Sequence, residues 1–250
     1  MIESIILIIA AFLTATLSAI IGMGGGITLL GIMAIIMSDG YLVVAYHGVI
    51  QLVSNVTRTT VYRHDIDRPI LSRFTKGIIP GLFIAAGLIY GLIQFYDVNS
   101  ASEIKFDYLK PLIGLYILWF LYLREKKPIS DQAFTWMGAL SGLVTVFIGA
   151  AGPLIAPFFI SKEIKKESVI ATKAACQAIG HLGKMPIFIF LFGVDYFEDW
   201  SVILPLVLAV FIGTKFGKGM LGKLPEATFK KLFRIVLTLI AIRLIILNFI

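Results

Sequence analysis

Apolar runs, most of them long enough to cross a lipid bilayer, fill almost the whole chain and are separated by short charged turns. Hydrophobic residues make up 58% of the 250 residues and charged residues 15%, whereas a soluble domain carries about 25% charged residues. A membrane-crossing helix needs about 20 mostly apolar residues. The sequence therefore predicts an all-α polytopic membrane protein. The apolar runs are residues 3–22, 26–37, 41–62, 77–95, 108–123, 134–149, 153–160, 167–192, 201–216 and 229–249.

Two of the long runs carry matching rows of polar residues. In both rows the spacing is i, i+4, i+8 and i+11, which places each row along one narrow face of a helix. Each row also follows a glycine-containing break in the apolar sequence at a similar distance. This repetition predicts an internal duplication, with residues 1–127 as the first membrane unit and residues 128–250 as the second. The first row is His47, Gln51, Asn55 and Arg58, and the second is Lys173, Gln177, His181 and Lys184.

The breaks lie at residues 22–26 (GMGGG) and at residues 149–153 (GAAGP). The apolar runs that follow them are too short to cross a bilayer, so we interpret each as the returning arm of a broken or re-entrant hairpin. A helix that starts at such a break presents unpaired N–H groups, which together with the helix dipole favour an anion. Close helix packing is the alternative use of these glycines. The residues expected to bind substrate here are Gly24, Gly25, Gly26, Thr28 and Gly152.

Charges in the turns predict how the two units are oriented. The basic turns are residues 63–76, 124–132, 161–167 and 215–231, and the acidic turns are residues 96–107 and 193–200. Lys and Arg concentrate in cytoplasmic turns, and every turn obeys this rule only if residues 134–160 form a hairpin. Each unit is then a hairpin plus three transmembrane helices, which inverts the second unit relative to the first. A plain eight-span protein with parallel repeats is the alternative.

Inversion gives the two polar rows a common purpose. A two-fold axis in the membrane plane would bring Gln51 and Gln177, each near the middle of its helix, to the same depth. Burying an unpaired cation or amide in hydrocarbon costs several kcal/mol, so such groups persist where they face a polar cavity or one another. The expected substrate-binding residues of the rows are Gln51, Asn55, Gln177 and His181 as hydrogen-bonding groups, and Arg58 and Lys184 as sources of positive charge.

The two rows also allow a purely structural interpretation, in which their side chains bond between helices or reach to the membrane surface. His47 and Lys173 are ranked as the weakest members, because they lie closest to a membrane face. His181 is the one predicted midplane group that titrates near neutral pH. The sequence leaves open whether a proton or a sodium ion is coupled to transport, and whether the chain forms a homo-oligomer.

Several functional classes are disfavoured by the sequence. The net charge is +7, but the basic residues lie in the turns between spans, so nucleic acid is not an expected partner. Neither HExxH nor GxSxG occurs, and no paired aspartates lie within a predicted span, so we do not expect an enzyme. The chain also lacks the phosphate-binding sequence GxxxxGK[ST] of an ATP-driven pump. No cofactor or metal is expected.

The break IIGMGGGITLLG, its degenerate copy FIGAAGPLIAP, the duplicated units and the total length resemble the sulfite exporter TauE/SafE family, also described as toluene sulfonate uptake permeases. The resemblance covers essentially the whole chain. It implies about eight helical units and a permease for sulfite, sulfonates, sulfoacetate, thiosulfate or related organosulfur anions. The second break departs from the first in having Ala150, Ala151 and Pro153 where the first is rich in glycine.

We therefore expect a secondary transporter of a small anion, with sulfite, thiosulfate and sulfoacetate as the leading substrates. It would work by alternating access around a midplane site between the repeats. An anion channel that uses the same cavity is the alternative. The expected location is the plasma or inner cell membrane, which the chain would cross several times.

Overall fold

The structure is a computed structural model that describes residues 2–21, 24–104, 109–123, 132–152 and 166–219, and single positions at 130, 155, 159, 235, 238–239, 241–243 and 245–246. These residues are helical and contain no strand, which confirms the all-α class. Short 3₁₀ turns follow α3 and α4, and a π turn continues α5. The helices are α1 (Ile2–Ile21), α2 (Gly25–Ile36), α3 (Gly40–Val61), α4 (Arg68–Tyr96), α5 (Leu109–Leu118), α6 (Ala133–Phe147), α7 (Lys166–Phe192) and α8 (Trp200–Gly219).

Four of the described helices are long and apolar enough to cross a membrane, namely α1, α4, α7 and α8. Helix α3 is long enough, with 22 residues, but its row of polar side chains lowers its mean hydropathy. Large apolar side chains cover the outside of the bundle, as Phe83 and Phe190 show at 74% and 81% exposure. Such a surface suits contact with lipid rather than water. The chain is therefore a multi-pass membrane protein, as predicted.

The first glycine break turns the chain back on itself. Gly25 lies against the carbonyl of Thr14 and the side chain of Ser18, where no Cβ would fit. In one continuous helix Thr14 and Gly25 would be about 16 Å apart, because each residue adds about 1.5 Å. Gly24 has a φ of 96°, a conformation that residues with a Cβ adopt only under strain. Helix α2 therefore packs back against α1.

The second break has a related geometry. Helix α6 ends at Phe147, and Gly149 has a φ of 92°. The returning arm predicted at 153–160 lies outside the described residues except for Ile155 and Phe159, both of which are buried. The basic turns at 124–132 and 161–167 also lie mostly outside the described residues, as does the last predicted run at 229–249.

Helices from the two halves of the chain pair with each other. Helix α4 packs on α6, and α1 packs on α8. Gly77 contacts Thr135 and Gly81 contacts Ala139, so residue numbers rise together and α4 and α6 run parallel. Gly213 and Gly217 contact the α1 backbone in the same sense, which makes α1 and α8 parallel as well. In each of these pairs, glycines let the two backbones approach closely.

Helices α3 and α7 carry the two polar rows and run antiparallel. Lys184, late in α7, bonds the carbonyl of Val44, early in α3. Thr172, early in α7, accepts a hydrogen bond of 2.8 Å from the backbone of Asp67, just beyond α3. Equivalent helices of two repeats are antiparallel when the repeats are inverted and parallel when the repeats have the same orientation. The observed directions are those that an inverted duplication requires.

The described turns gather by charge at the two ends of the bundle. Ser100, in the acidic turn after α4, donates a hydrogen bond of 3.3 Å to the carbonyl of Leu191, near the end of α7. The two acidic turns, after α4 and after α7, therefore lie at one end. The basic turn that follows α3 lies beside the start of α7, at the other end. This separation agrees with the predicted orientation, in which the basic end faces the cytoplasm.

Candidate functional site

The two polar rows face each other across a small cavity of about 20 Å³. Helices α1, α2 and α3 form one side of it, and α7 with the second break forms the other. Both halves of the chain therefore contribute to one site. Its lining residues are Ser18, Gly24, Gly26, Ile27, His47, Gln51, Arg58, Ala150, Gly152, Lys173, Gln177 and His181.

Most residues that the sequence singled out for substrate binding line this cavity. Those on the lining are Gly24, Gly26, Gln51, Arg58, Gly152, Gln177 and His181. The remaining four, which are not on the lining, are Gly25, Thr28, Asn55 and Lys184. Each of these four has a structural contact next to the cavity, so the predicted set forms one connected region with an inner and an outer layer.

Each of the two glutamines lies against a glycine of a break. A Cβ added to Gly26 would lie 3.0 Å from Oε1 of Gln51, and one added to Gly152 would lie 2.5 Å from Nε2 of Gln177. The spacing along the chain is the same in both halves, because 51 − 26 and 177 − 152 are both 25. Each amide is thus in direct contact with the break that precedes it in the chain.

Two cationic side chains line the cavity, Arg58 at 3% and Lys173 at 2% exposure. No carboxylate occurs among the described lining residues. The printed partners of the Arg58 guanidinium are neutral oxygens, so its charge is buried without a carboxylate bonded to it. Burying a charge costs several kcal/mol, and a small anion in the cavity would offset part of that cost. The electrostatics around Arg58 therefore favour an anionic ligand.

Arg58 is held in place by neutral oxygens. Its guanidinium donates to Oγ of Ser18 at 2.6 Å, to Oδ1 of Asn55 at 2.5 Å and to the carbonyl of Ser54 at 3.4 Å. Asn55 thus positions the arginine, while its own Nδ2 has no partner among the described residues. Sequence reasoning missed Ser18, because a single serine in an apolar helix is too common to be a signal.

Lys184 is fully buried and contacts backbone rather than the cavity. Its ammonium group donates to the carbonyls of Val44 at 2.9 Å, Gly149 at 3.3 Å and Thr145 at 3.4 Å. Helix α6 ends at Phe147, so the bonds to Thr145 and Gly149 lie at and just beyond its C-terminus, where a positive charge is favourable. Lys184 therefore connects α3 to the second break.

His47 lies between the two breaks. Its Nε2 is 2.8 Å from the carbonyl oxygen of Gly26, and its Nδ1 is 3.2 Å from that of Gly149. His47 and Lys173 were ranked lowest by sequence, yet both are buried and both line the cavity. Position along a helix indicated depth in the membrane, but it did not show how far the breaks reach toward these side chains.

The other two residues of the first break serve its packing. Gly25 fits against α1, where a side chain would collide with the backbone. Thr28 donates both its hydroxyl and its backbone N–H to the carbonyl of Gly24, each at 3.1 Å, at the start of α2. Among the predicted residues of the two breaks, Gly24, Gly26 and Gly152 are the ones that line the cavity.

A smaller cavity of about 10 Å³ adjoins the first on the side of α4 and α6. It shares Gln177 and His181 with the first cavity, so these two side chains separate the spaces. Nδ1 of His181 and Oγ of Ser141, both on its lining, have no hydrogen-bond partner among the described residues. In the described part of the chain, no group of three His, Cys, Asp or Glu could hold a metal ion.

A lipid-facing helical bundle around a buried polar cavity with excess positive charge defines a membrane transport protein suited to anions. The family model Sulfite exporter TauE/SafE matches residues 7–244 of the chain. The protein belongs to this family, as the resemblance predicted, and the family consists of transporters rather than enzymes. No curated protein and no solved structure was found to match the chain.

Proposed function

We propose that this protein is a secondary transporter of a small sulfur oxyanion or organosulfonate, such as sulfite, thiosulfate or sulfoacetate, in the plasma membrane. The observation that carries the proposal is the cavity between α3 and α7. It is lined by polar residues of both rows and by two buried cations, and no carboxylate lies among its described lining residues. Family membership supports transport of an anion, and the sulfur chemistry follows from the family's description.

The cavity is small in this conformation, at about 20 Å³, which is space for about one water molecule. Binding of an anion would therefore require the lining side chains to move apart, which favours a compact anion over a large organic molecule. A sulfur oxyanion needs several hydrogen-bond donors around one centre, and the lining side chains provide such donors.

Each lining group has a role in this proposal. The amides of Gln51 and Gln177 donate hydrogen bonds to the anion from opposite helices. Arg58 and Lys173 supply the positive charge, which makes each hydrogen bond to the anion stronger than a neutral one. His181 lies where the two cavities meet and is positioned to contact an anion that passes between them.

The paired helices provide a mechanism for alternating access. We propose that residues 1–127 and 128–250 are inverted repeats, supported by the antiparallel α3 and α7 and by the parallel pairs α1–α8 and α4–α6. Inverted repeats exchange two related conformations when one half moves against the other around a fixed site. The breaks at Gly24 and Gly149 are the places where the hairpins can bend.

Counterflow in proteoliposomes tests the function. Vesicles loaded with unlabelled thiosulfate should take up external radiolabelled thiosulfate with saturation, and sulfite and sulfoacetate should compete for uptake. Acetate serves as the carboxylate control and should compete weakly. If acetate alone competes, the proposal that the transported anion contains sulfur is wrong. Unitary anion currents without counterflow would show a channel instead of a carrier.

A further inference from the structure

The imidazole of His47 faces a hydrogen-bond acceptor on each of its two nitrogens. The partners are the carbonyl oxygens of Gly26 at 2.8 Å and Gly149 at 3.2 Å, and each belongs to a different break. A neutral imidazole has one N–H and one lone pair, whereas a protonated ring has two N–H groups. A carbonyl oxygen can only accept, so only the protonated ring can bond both breaks at once.

In the neutral ring, one of these two contacts is lost. Whichever nitrogen carries the proton, the other directs its lone pair at a carbonyl oxygen. The side chain is only 1% exposed, so water is not freely available to replace the missing bond. An unmade hydrogen bond at a buried group costs about 1–3 kcal/mol. Loss of the second proton therefore frees one of the breaks from His47.

The charges around His47 decide when the ring can hold a second proton. From α7, His181 packs edge-on at a ring distance of 5.8 Å, and the Lys184 ammonium shares the carbonyl of Gly149. Arg58 and Lys173 line the same cavity. From the turn before α8, the carboxylate of Asp199 accepts a hydrogen bond from the hydroxyl of Tyr46, the residue before His47. Positive charge dominates next to the ring, so an empty cavity opposes protonation and an anion inside it favours protonation.

We propose that His47 binds a proton that is carried together with the anion, which makes the transporter a proton–anion symporter. This inference rests on the proposed function and names its coupling ion and the residue that holds it. Binding of the anion and of the proton would reinforce each other to the same extent, because linkage between two sites is reciprocal. With both ligands bound, the imidazolium donates to Gly26 and Gly149 and ties the two breaks together.

The second polar row supports an unequal division of roles. Lys173 occupies the first position of its row, as His47 does in the other, and a lysine there is a different kind of charge. An ammonium group can only donate hydrogen bonds, whereas each imidazole nitrogen can donate or accept, depending on its proton. The position in the first unit can therefore change its bonds to the two breaks when it gains or loses a proton, which a lysine at the matching position of the second unit cannot do in the same way.

Proton uptake on thiosulfate binding tests the symporter proposal. Thiosulfate is the probe because, unlike sulfite, it does not gain or lose a proton near neutral pH. Purified protein in weakly buffered detergent solution, with a pH-indicating dye, should take up about one proton per thiosulfate bound, as linked binding at one site requires. Thiosulfate binding should also weaken as the pH rises, because the second N–H and its charge are lost.

The chain has three histidines, which provide a complete set of variants. His47→Lys places a fixed cation at the position, and His47→Gln places an uncharged amide; both should lose proton uptake. His64 lies exposed in the turn after α3, so His64→Gln is the matched control and should behave as wild type. His181→Gln should bind thiosulfate more weakly and keep its proton uptake per anion bound.

The wild-type measurement decides the question even if a variant at position 47 fails to fold. Thiosulfate binding without proton uptake by the wild-type protein would overturn the symporter proposal and leave anion transport standing. Intact uptake in a folded His47→Lys protein, or loss of uptake in His181→Gln, would overturn the assignment to His47. Absence of thiosulfate binding by the wild-type protein would overturn both this inference and the proposed substrate class.

Discussion

Gly152 and Gln177 are in such close contact that a Cβ on the glycine would stand 2.5 Å from the amide nitrogen of the glutamine. Gly26 and Gln51 repeat this contact in the first unit, at the same separation of 25 residues along the chain. In both halves of the chain, a glycine of the break contacts a glutamine of the polar row. The glycine leaves space for the amide, and the amide lines the cavity.

Gly152→Ala should reduce transport while leaving the fold intact. The added methyl group would displace the flexible end of Gln177 rather than backbone, so the helices around it can keep their positions. We expect affinity for thiosulfate to fall about tenfold, which corresponds to 1.4 kcal/mol. Gly87→Ala is the matched control, because nothing lies within 4 Å of a Cβ at that helical glycine. Equal uptake by the two variants would show that the Gly152 contact has no role in binding.

Gln177→Ala should abolish transport without unfolding the protein. A hydrogen bond to a charged group contributes about 1.5–3 kcal/mol, so loss of this amide would weaken anion binding by about 10- to 100-fold. Gln94→Ala is the control, since Gln94 is exposed near the end of α4. Thermal unfolding and size-exclusion profiles should match for both variants. Wild-type uptake by a normally expressed Gln177→Ala protein contradicts the assignment.

Lys184→Met should lower stability by removing the donor at the end of α6. The carbonyl of Thr145 would lose its bond to the ammonium group, and that of Gly149 would keep only its contact with His47. A buried acceptor left unpaired costs about 1–3 kcal/mol. We expect a lower unfolding temperature and slower counterflow. Lys76→Met, at an exposed position of α4, should leave both properties unchanged. Equal unfolding temperatures for these two variants would mean that Lys184 does not hold the break.

Thiol labelling can test whether the repeats are inverted. Arg63 and Glu198 are exposed in the turns that follow α3 and α7, the equivalent helices of the two units. In a Cys176→Ala background, an impermeant maleimide should label Glu198→Cys in intact cells and Arg63→Cys only after permeabilisation. Opposite sides are required by inversion, whereas parallel repeats would place both cysteines on the same side of the membrane. Labelling of both from one side would therefore contradict inversion.

The sequence was sufficient to predict the class of protein. It also predicted which face of α3 and which face of α7 meet at the cavity. Apolar run length predicts spanning helices, and the i, i+4, i+8, i+11 spacing brought Gln51 and Gln177 to one cavity. Spacing along a helix cannot show which way a long side chain extends. This is why Lys184, expected to supply charge to the substrate, was found on backbone carbonyls behind the cavity.

The contacts of the breaks were also beyond the reach of sequence reasoning. His47 was ranked low because only its depth was considered, and its carbonyl partners at Gly26 and Gly149 come from segments distant in the chain. Ser18 lies on the lining because α2 folds back against α1, which places the end of α1 at the site. Both residues owe their position to the breaks, whose long-range contacts are not visible in the sequence.

A structure of the protein with bound thiosulfate tests the central claim most directly. Electron cryomicroscopy in nanodiscs, at a thiosulfate concentration that saturates counterflow, should show density for the anion between α3 and α7. We predict hydrogen-bond distances from that density to the amides of Gln51 and Gln177 and to the guanidinium of Arg58. An anion bound elsewhere, or an empty cavity under saturating conditions, would contradict the assignment of this cavity as the transport site.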